Sequence, residues 1–234
     1  MPVYQLPEDL IFPSPELAEP EGLLAVGGDL SVKRLLLAYS MGIFPWYSEG
    51  DPILWWSPNP RLVLELSRLK VSKSLTRVIK KGAFTVTMDQ GFNSVLNECS
   101  TAKRQRDEGT WIVGDMIAAY NLMHRAGFAH SVETWDEGKL AGGLYGVSIG
   151  KVFFGESMFS QKRDASKVSL VYLVSALKSW GFDFIDCQVT TSHLLRLGAH
   201  EISRSEFLRR LGRALKGETR CGRWKLPKDL ELLI

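Results

Sequence analysis

The sequence predicts an α+β fold made of a small N-terminal domain, residues 1–60, and a larger domain, residues 61–234. Composition and periodicity support this division. Nine of the ten prolines fall within the first sixty residues, whereas the later residues alternate between the 3.6-residue repeat of helices and the two-residue repeat of strands. With 45% of its 234 residues hydrophobic, the chain is long enough to bury a full core.

The N-terminal segment contains one clear helical pattern. Ser31 precedes the apolar run as an N-cap and Gly42 ends it, so we expect a helix between them. Three of the seven tryptophans, Trp46, Trp55 and Trp56, follow within eleven residues. These rings either form the core of a small domain or place one ring in a cleft, and the sequence leaves both alternatives open.

After residue 60, helical and strand patterns alternate. We expect helices over 71–81, 92–100, 114–126, 165–180, 192–197 and 203–215, and strands over 84–88, 129–135, 139–147, 151–154 and 182–189. A helix, an antiparallel meander, a second helix and a further strand follow one another in the order of the acyl-CoA N-acyltransferase-like (GNAT-like) fold. The larger domain is therefore expected to be GNAT-like, although a fold does not define a function.

The loop that would hold a cofactor in such a fold lacks glycine. GNAT-like enzymes bind the CoA pyrophosphate on a glycine-rich turn at a helix N-terminus, but residues 159–167 contain no glycine. The chain also lacks the Gly-x-x-x-x-Gly-Lys-Ser/Thr motif of nucleotide hydrolases. We therefore expect no cofactor, and any acyl donor should arrive already activated on a carrier other than CoA.

Charge, hydropathy and cysteine content narrow the class further. The net charge is only +3, so a nucleic-acid contact would require a local basic patch. The sequence has no run of 18 apolar residues and no signal-peptide pattern, which predicts a soluble, cytoplasmic protein. The three cysteines and four histidines lack the spacing of disulfide frameworks or metal ligands, so no metal is expected.

One basic patch is regular. Lys73, Arg77, Lys80 and Lys81 stand at positions i, i+4, i+7 and i+8, which places four cations on one face of the helix expected at 71–81. Such a cluster either binds a phosphate backbone without reading the bases, or is simply a solvated helix face. A second basic region, at residues 204–223, is less regular, and we take it only as support for phosphate binding.

Two apolar strands carry polar groups at their ends. In the strand expected at 182–189, Asp186 and Gln188 share one face while Cys187 points to the other. Glu156 follows another apolar strand, residues 151–154. Buried carboxylates need partners, so these residues either cap neighbouring helices and turns or line a ligand site. Two of them on strands that look adjacent favour a site, and Cys187 is expected to pack in the core.

Several sequence blocks together resemble a known family. They are Gly42-Ile43-Phe44-Pro45-Trp46, Leu54-Trp55-Trp56-Ser57-Pro58, Glu108-Gly109-Thr110-Trp111-Ile112, Gly155-Glu156-Ser157-Met158-Phe159-Ser160, Ala165-Ser166-Lys167 and Ile185-Asp186-Cys187-Gln188. With these blocks the chain resembles the bacterial leucyl/phenylalanyl-tRNA–protein transferases over residues 3–212. The resemblance implies an aminoacyltransferase that moves leucine or phenylalanine, less often methionine, from charged tRNA to the N-terminal Arg or Lys of a protein. It also implies a role in N-end rule degradation and a GNAT-like catalytic domain.

The resemblance also implies roles for individual residues. Trp46 and Trp111 match aromatic residues that shape the donor site, and Glu156, Asp186 and Gln188 match polar active-site positions. The basic cluster Lys73, Arg77, Lys80 and Lys81 matches a tRNA-binding cluster. The pocket for the aminoacyl side chain is matched by Leu144, Phe153, Leu170, Leu173 and Ile185. Thr191 stands where the family usually has asparagine, so it is given no role.

The residue types fit aminolysis of an ester. An aminoacyl ester is already activated, so the enzyme needs neither ATP nor metal and works largely by positioning its substrates. We interpret Gln188 as accepting a hydrogen of the attacking amine through its side-chain oxygen, with Asp186 polarising the side-chain amide of Gln188. Glu156 would attract the cationic acceptor. A CoA-dependent N-acetyltransferase and an inert RNA-binding protein are the alternatives.

Overall fold

The computed structural model describes residues 3–101 and 112–234. The N-terminal part forms a four-stranded sheet of order β1-β2-β4-β3, in which β1 and β2 are parallel and the other neighbours antiparallel. Its strands are β1 (Tyr4–Leu6), β2 (Leu23–Gly27), β3 (Phe44–Pro45) and β4 (Leu54–Trp56). Helix α1 (Val32–Ser40) lies between β2 and β3, and the Ser31 side chain caps it by accepting a hydrogen bond from the Arg34 amide.

The rest of the chain forms a seven-stranded sheet of order β11-β5-β10-β9-β8-β7-β6. Its strands are β5 (Arg61–Glu65), β6 (Thr85–Met88), β7 (Ala129–Asp136), β8 (Lys139–Ile149), β9 (Val152–Ser160), β10 (Phe184–Gln188) and β11 (His200–Ile202). Strands β6 to β9 form an antiparallel meander, whereas β9 and β10 are parallel. Strand β5 is inserted between β10 and β11 and runs antiparallel to both.

The helices predicted after residue 60 are confirmed, with small differences at their ends. They are α2 (Lys73–Lys80), α3 (Phe92–Thr101), α4 (Gly114–Arg125), α5 (Ala165–Ser179), α6 (Ser192–Arg196) and α7 (Arg204–Ala214). Two short 3₁₀ turns span Pro15–Leu17 and Leu66–Arg68. The chain is therefore a mixed α/β protein with two sheets and, in the described residues, seven α-helices.

The strand predictions were less complete. The strand expected at 151–154 is longer, because β9 continues to Ser160 and includes Glu156. Strands β1 to β5 and β11 were not predicted. In β5, residues Arg61 to Leu64 are buried on both faces, so the alternation of polar and apolar residues that marks a half-buried strand is absent.

Apolar residues cover both faces of the seven-stranded sheet. On one face, Phe154 and Phe184 pack in a core shared with α1, α3, α4, α7 and the small sheet. On the other face, Phe153 and Ile185 pack with α5 and with Trp224 from the C-terminal segment. The first core crosses residue 60, since it joins Tyr39 to Phe154. The division into two domains at that residue stays a prediction.

None of the helices within residues 3–101 and 112–234 has both the length and the apolar character needed to cross a membrane.

Candidate active site

The two strands that carry Glu156 and Asp186 are neighbours, as predicted. In the parallel pair β9 and β10, Phe154 lies opposite Asp186, so Glu156 is two residues farther along the adjacent strand. Both strands are irregular at this point. Glu156 is the extra residue where the β8–β9 register shifts, and Cys187 is the extra residue where the β10–β5 register shifts. Such bulges turn side chains out of the regular alternation of a strand. Here the two bulges lie on neighbouring strands, β9 and β10.

Glu156 lies at the centre of a hydrogen-bonded network. Its Oε2 accepts a hydrogen bond from the hydroxyl of Tyr120 at 2.8 Å, and the hydroxyl of Tyr39 lies 2.5 Å from that of Tyr120. Its Oε1 accepts a hydrogen bond from Nε2 of Gln188 at 3.1 Å. Helices α1 and α4 thus supply the tyrosines, and β10 supplies the amide. The network fixes which way the Gln188 carboxamide points, because its nitrogen faces the carboxylate.

The surroundings of Glu156 favour its neutral form. Burial raises the pKa of its carboxyl from 4.5 to about 7, and the nearby carboxylate of Asp186 acts in the same direction. The hydrogen bonds from Tyr120 and Tyr39 lower the pKa, as does the charge of Arg61. The carboxyl therefore titrates close to neutral pH. Burial also raises the pKa of both tyrosines well above their usual range, so both remain protonated donors.

Asp186 is paired with an arginine that the sequence analysis did not identify. Nε of Arg61 donates to Oδ1 of Asp186 at 2.8 Å, and Nη2 donates to Oδ2 at 2.7 Å. Both side chains are at most 1% exposed. Oδ1 of Asp186 also accepts a hydrogen bond from the main-chain amide of Gln188 at 3.0 Å.

This contact corrects our interpretation of the Asp186–Gln188 pair. Asp186 was expected to polarise the side-chain amide of Gln188, but it accepts from the main-chain amide, and Glu156 accepts from the side chain. Gln188 has φ of 55°, a left-handed conformation that costs about 1–3 kcal/mol for a non-glycine residue. The hydrogen bond to Asp186 stabilises that strained turn, which aims the Gln188 side chain at Glu156.

Cys187 faces the opposite core, as predicted. It is buried with Ile185, Phe153, Leu62 and Leu64 on the α5 side of the sheet. Burial, and to a smaller extent the charge of Asp186, raises the pKa of its thiol well above its usual range. A thiol that stays protonated is a poor nucleophile, so Cys187 is a poor candidate for a nucleophile.

The five residues expected to line an apolar pocket lie in one cluster. Leu144, Phe153, Leu170, Leu173 and Ile185 belong to the core between the sheet and α5, and all are buried. Phe153 and Ile185 are directly opposite one another in the β9–β10 pair. The cluster therefore lies on the same two strands as Glu156 and Asp186, but on the face opposite to that of Phe154 and Asp186.

Trp55 and Trp46 of the N-terminal part differ in burial, and the alternative that one ring faces a cleft stays a prediction. Trp55 is fully buried and donates from Nε1 to the carbonyl of Gly27, so it belongs to the core. Trp46 is 39% exposed, and its ring lies 5.7 Å from that of Trp56. An exposed ring suits a binding surface. Trp111 lies outside the described residues.

The basic helix, α2, forms as expected. Lys73, Arg77, Lys80 and Lys81 are all exposed, and no ion pair within the described part of the chain involves them. Leu75, on the opposite face, packs against Val168 and Val171 of α5. The helix is held to the body of the protein while its cations remain available.

Thr191 has a structural contact, because its hydroxyl accepts a hydrogen bond from the Leu194 amide and caps α6.

One cavity lies apart from these residues. It measures about 480 Å³ and is lined by Asp89, Gln90, Gly91, Phe92, Asn93, Ser94, His124, Arg125, Gly127, Gly222 and Arg223. None of the predicted site residues contributes to it, so we do not assign the chemistry to this cavity. Among the described residues, no group of three or more histidine, cysteine or acidic side chains could hold a metal ion.

Comparison with known proteins identifies the family. The model of the leucyl/phenylalanyl-tRNA protein transferase family matches residues 63–212, and the model of that family's N-terminal domain matches residues 28–59. This chain belongs to the leucyl/phenylalanyl-tRNA protein transferase family. The matched regions contain every predicted site residue, including the polar group around Glu156 and the basic helix.

Relatives with the family name are similar along their whole length. The transferase of Syntrophobacter fumaroxidans is 58% identical over 232 residues, covering 95% of this chain and 99% of the relative. That of an Anaeromyxobacter species is 59% identical over 226 residues, covering 97% and 96%. The structure of L-PGS from Bacillus licheniformis has a TM-score of 0.37 and 12% identity, covering 86% of this chain and 66% of that one.

Sequence reasoning missed three residues of the site. Arg61 was overlooked because it follows a proline-rich segment and begins a strand that lacks alternation. Its position directly before the apolar run 62–64 was the available signal, since an arginine entering the core needs an acidic partner. Tyr39 and Tyr120 lie on helices that were predicted, but nothing local distinguishes them from core aromatics.

The titration of Glu156 provides a direct test of the network. We expect its carboxyl, followed by ¹³C NMR, to titrate near pH 7, and Tyr120→Phe to move the titration to higher pH because a donor to the carboxylate is lost. Because folding raises this pKa, the group favours the folded state below about pH 4.5 and loses that contribution as the pH rises through about 7. A midpoint near 4.5, or no movement in Tyr120→Phe, would contradict the network.

Proposed function

We propose that this protein transfers leucine or phenylalanine, and less often methionine, from charged tRNA to the N-terminus of an acceptor protein. Membership of the family over most of the chain carries the proposal, and the group formed by Glu156, Gln188 and Asp186 supplies the chemistry. The acceptors are proteins that begin with Arg or Lys, which the added residue marks for degradation by the N-end rule. The cytoplasm, where charged tRNA is made, is the proposed location.

The proposal extends to the architecture. Residues 1–60 form a small N-terminal domain, and residues 61–234 form a GNAT-like catalytic domain. In support, the meander β6–β9 is followed by α5 and by β10, which is parallel to β9. No cofactor is required, because the aminoacyl ester is already activated and its aminolysis runs downhill.

Gln188 is the group closest to the reacting amine in this mechanism. Its Nε2 is engaged by Glu156, so Oε1 is the atom free to accept a hydrogen bond from the attacking amine. As the amine attacks the ester carbonyl, the new C–N bond forms, the C–O bond to the ribose breaks, and the proton that the amine loses ends on the leaving ribose oxygen. Asp186 keeps the main chain of Gln188 in place, and Glu156 orients its carboxamide.

Glu156 has a second task as the electrostatic partner of the cationic acceptor. An N-terminal Arg or Lys brings positive charge to a partly buried site, where a carboxylate interacts strongly with it. The pKa of about 7 means that an approaching cation can favour the charged form of Glu156 at the moment when it is needed. The acceptor would then be attracted without a permanently charged, desolvated carboxylate in the free enzyme.

The donor is recognised at both of its ends. The apolar cluster of Leu144, Phe153, Leu170, Leu173 and Ile185 accommodates the aminoacyl side chain, with Trp46 at the donor site. Trp111, which lies outside the described residues, keeps the donor-site role that the resemblance implies. An apolar pocket rejects charged and polar side chains but separates apolar ones by only about 1–3 kcal/mol per methylene. The exposed cations of α2 bind the tRNA backbone through its phosphates.

The function is tested by transfer of labelled leucine from charged tRNA to a peptide that begins with Arg. We expect transfer from leucyl- and phenylalanyl-tRNA, but little from seryl-tRNA because the pocket cannot satisfy a hydroxyl. The same peptide with an acetylated N-terminus serves as the control and should accept nothing. Efficient transfer from seryl-tRNA would contradict the pocket assignment, and no transfer from any donor would contradict the function.

The basic helix should control affinity for tRNA and leave the chemistry unchanged. Replacing Lys73, Arg77, Lys80 and Lys81 with Ala should weaken binding of charged tRNA and reduce the slope of log K against log salt by about 3 to 4, since each phosphate contact contributes about 0.9. Transfer from a minimal aminoacyl-adenosine donor should be nearly unchanged.

A matched control removes the same number of charges elsewhere. Lys33, Lys139, Lys178 and Lys228 are exposed lysines on other parts of the chain, and their replacement with Ala should leave the salt slope largely intact. Equal losses in the two quadruple variants would show that only net charge matters. Equal losses with both donors in the α2 variant would show that the helix serves folding or catalysis.

Substitutions on the two faces of β10 should have different effects on turnover. Gln188→Ala should lower kcat by about 100-fold or more with donor binding nearly intact, because it removes a contact made in the transition state. Cys187→Ser should retain the chemistry, since the thiol faces the opposite core. Single-turnover kinetics and donor binding measure the two effects. An inactive but folded Cys187→Ser protein would contradict the assignment of faces.

A further inference from the structure

The guanidinium of Arg61 is fixed by hydrogen bonds and by two aromatic rings. Besides its two bonds to Asp186, it donates from Nη1 to the carbonyl of Gly42 at 3.1 Å. Its carbon lies 4.9 Å from the ring centre of Phe44 and 4.4 Å from that of Phe207. The N-terminal part, α7 and β10 therefore meet at this one group. A planar fork between two rings, bonded to both carboxylate oxygens, has a single orientation.

Stability alone does not account for such a pair. Moving a guanidinium and a carboxylate out of water costs several kcal/mol per ion, and apolar residues of similar volume are often at least as stabilising. What the ion pair supplies is a fixed direction for Asp186. That direction matters here because Oδ1 of Asp186 also holds the main-chain amide of Gln188, the residue with the left-handed backbone.

We propose that Arg61 is a positioning residue for aminoacyl transfer, which acts through Asp186 to hold Gln188 in the conformation that aims its carboxamide at the reacting amine. This inference rests on the proposed function and on the role of Gln188 in it. The chain of contacts runs from Arg61 to Asp186, then through the main chain of Gln188 to its side chain and Glu156. Arg61 itself touches no substrate.

Lysine is the informative replacement. Arg61→Lys keeps the positive charge but cannot form the planar, two-pronged contact or fill the space between the rings. Asp186 remains paired but is no longer fixed in direction. We expect kcat for leucine transfer to fall by between about 10- and 100-fold, as for a small misplacement of a catalytic group, while KM for charged tRNA changes little.

Arg34 provides a matched control. It is also fully buried, pairs with Asp29, donates to the carbonyls of Pro7 and Glu8, and lies near an aromatic ring. It has no contact with the candidate site. Arg34→Lys and Arg61→Lys should both lower the melting temperature, but Arg34→Lys should leave kcat close to that of the unaltered protein. Equal kcat values in these two lysine variants would overturn the proposal, because Arg61 would then be only structural.

A double-mutant cycle tests whether Arg61 acts through Asp186. Asp186→Asn should lower kcat, and the double variant Arg61→Lys with Asp186→Asn should lose no more than about twofold beyond it, as expected for groups that act as one unit. Multiplicative losses would overturn the proposal. If Arg61→Lys fails to fold, Phe207→Leu takes its place, since it loosens the guanidinium while leaving both charges intact. An unchanged kcat in that variant would overturn the proposal equally.

These outcomes are distinguishable from failure of the proposed function. An unaltered protein that moves no leucine from charged tRNA contradicts the function itself. An active unaltered protein with normal turnover in Arg61→Lys contradicts the positioning role alone.

Discussion

The ion pair between Arg61 and Asp186 is the interaction on which the candidate site depends. It joins β5, the first strand of the larger sheet in chain order, to β10, which lies beside it in the sheet. It also brings the turn after α1 and helix α7 to the same point. Neither partner reaches water, so each satisfies the other. The strained backbone of Gln188 persists because Asp186 is already fixed when it accepts that residue's amide hydrogen.

Two carboxylates on the neighbouring strands β9 and β10, Glu156 and Asp186, therefore have different environments. Asp186 has a permanent cationic partner, whereas the groups among the described residues that donate these hydrogen bonds to Glu156, the Tyr120 hydroxyl and the Gln188 amide, are neutral. Burial raises the pKa of the Glu156 carboxyl to about 7, so this group can change its protonation state near neutral pH. A site with one fixed and one adjustable charge suits a reaction in which a cationic amine becomes a neutral amide.

Much of this arrangement could be predicted from the sequence, and the reasons for the remainder are physical. Periodicity located the helices and the hairpin, and alternation in β10 assigned Cys187 to the opposite core. Glu156 was expected at the end of a strand, yet β9 continues past it, because a bulge lets one residue leave the ladder without ending the strand. A pattern of single residues does not reveal such an insertion.

The partner of Asp186 was beyond local reasoning for a different reason. Arg61 precedes Asp186 by 125 positions, and only the pairing of β5 with β10 brings them together. The same limit applies to Tyr39 and Tyr120, which are 81 positions apart. Helical periodicity shows that each tyrosine is buried but not that their hydroxyls meet beside Glu156.

The position of β5 has a consequence for the order in which the protein acquires its structure. Strands β6 to β9 pair with their neighbours in the chain, so they can form early and at small entropic cost. Strand β5 comes first in the larger sheet, but in the described part of the chain it pairs with β10 and β11, which are translated long after it. These pairings join residues far apart in the sequence, so closing them costs more entropy than closing the meander. The Arg61–Asp186 ion pair, and the Gln188 conformation that it supports, depend on this non-local pairing.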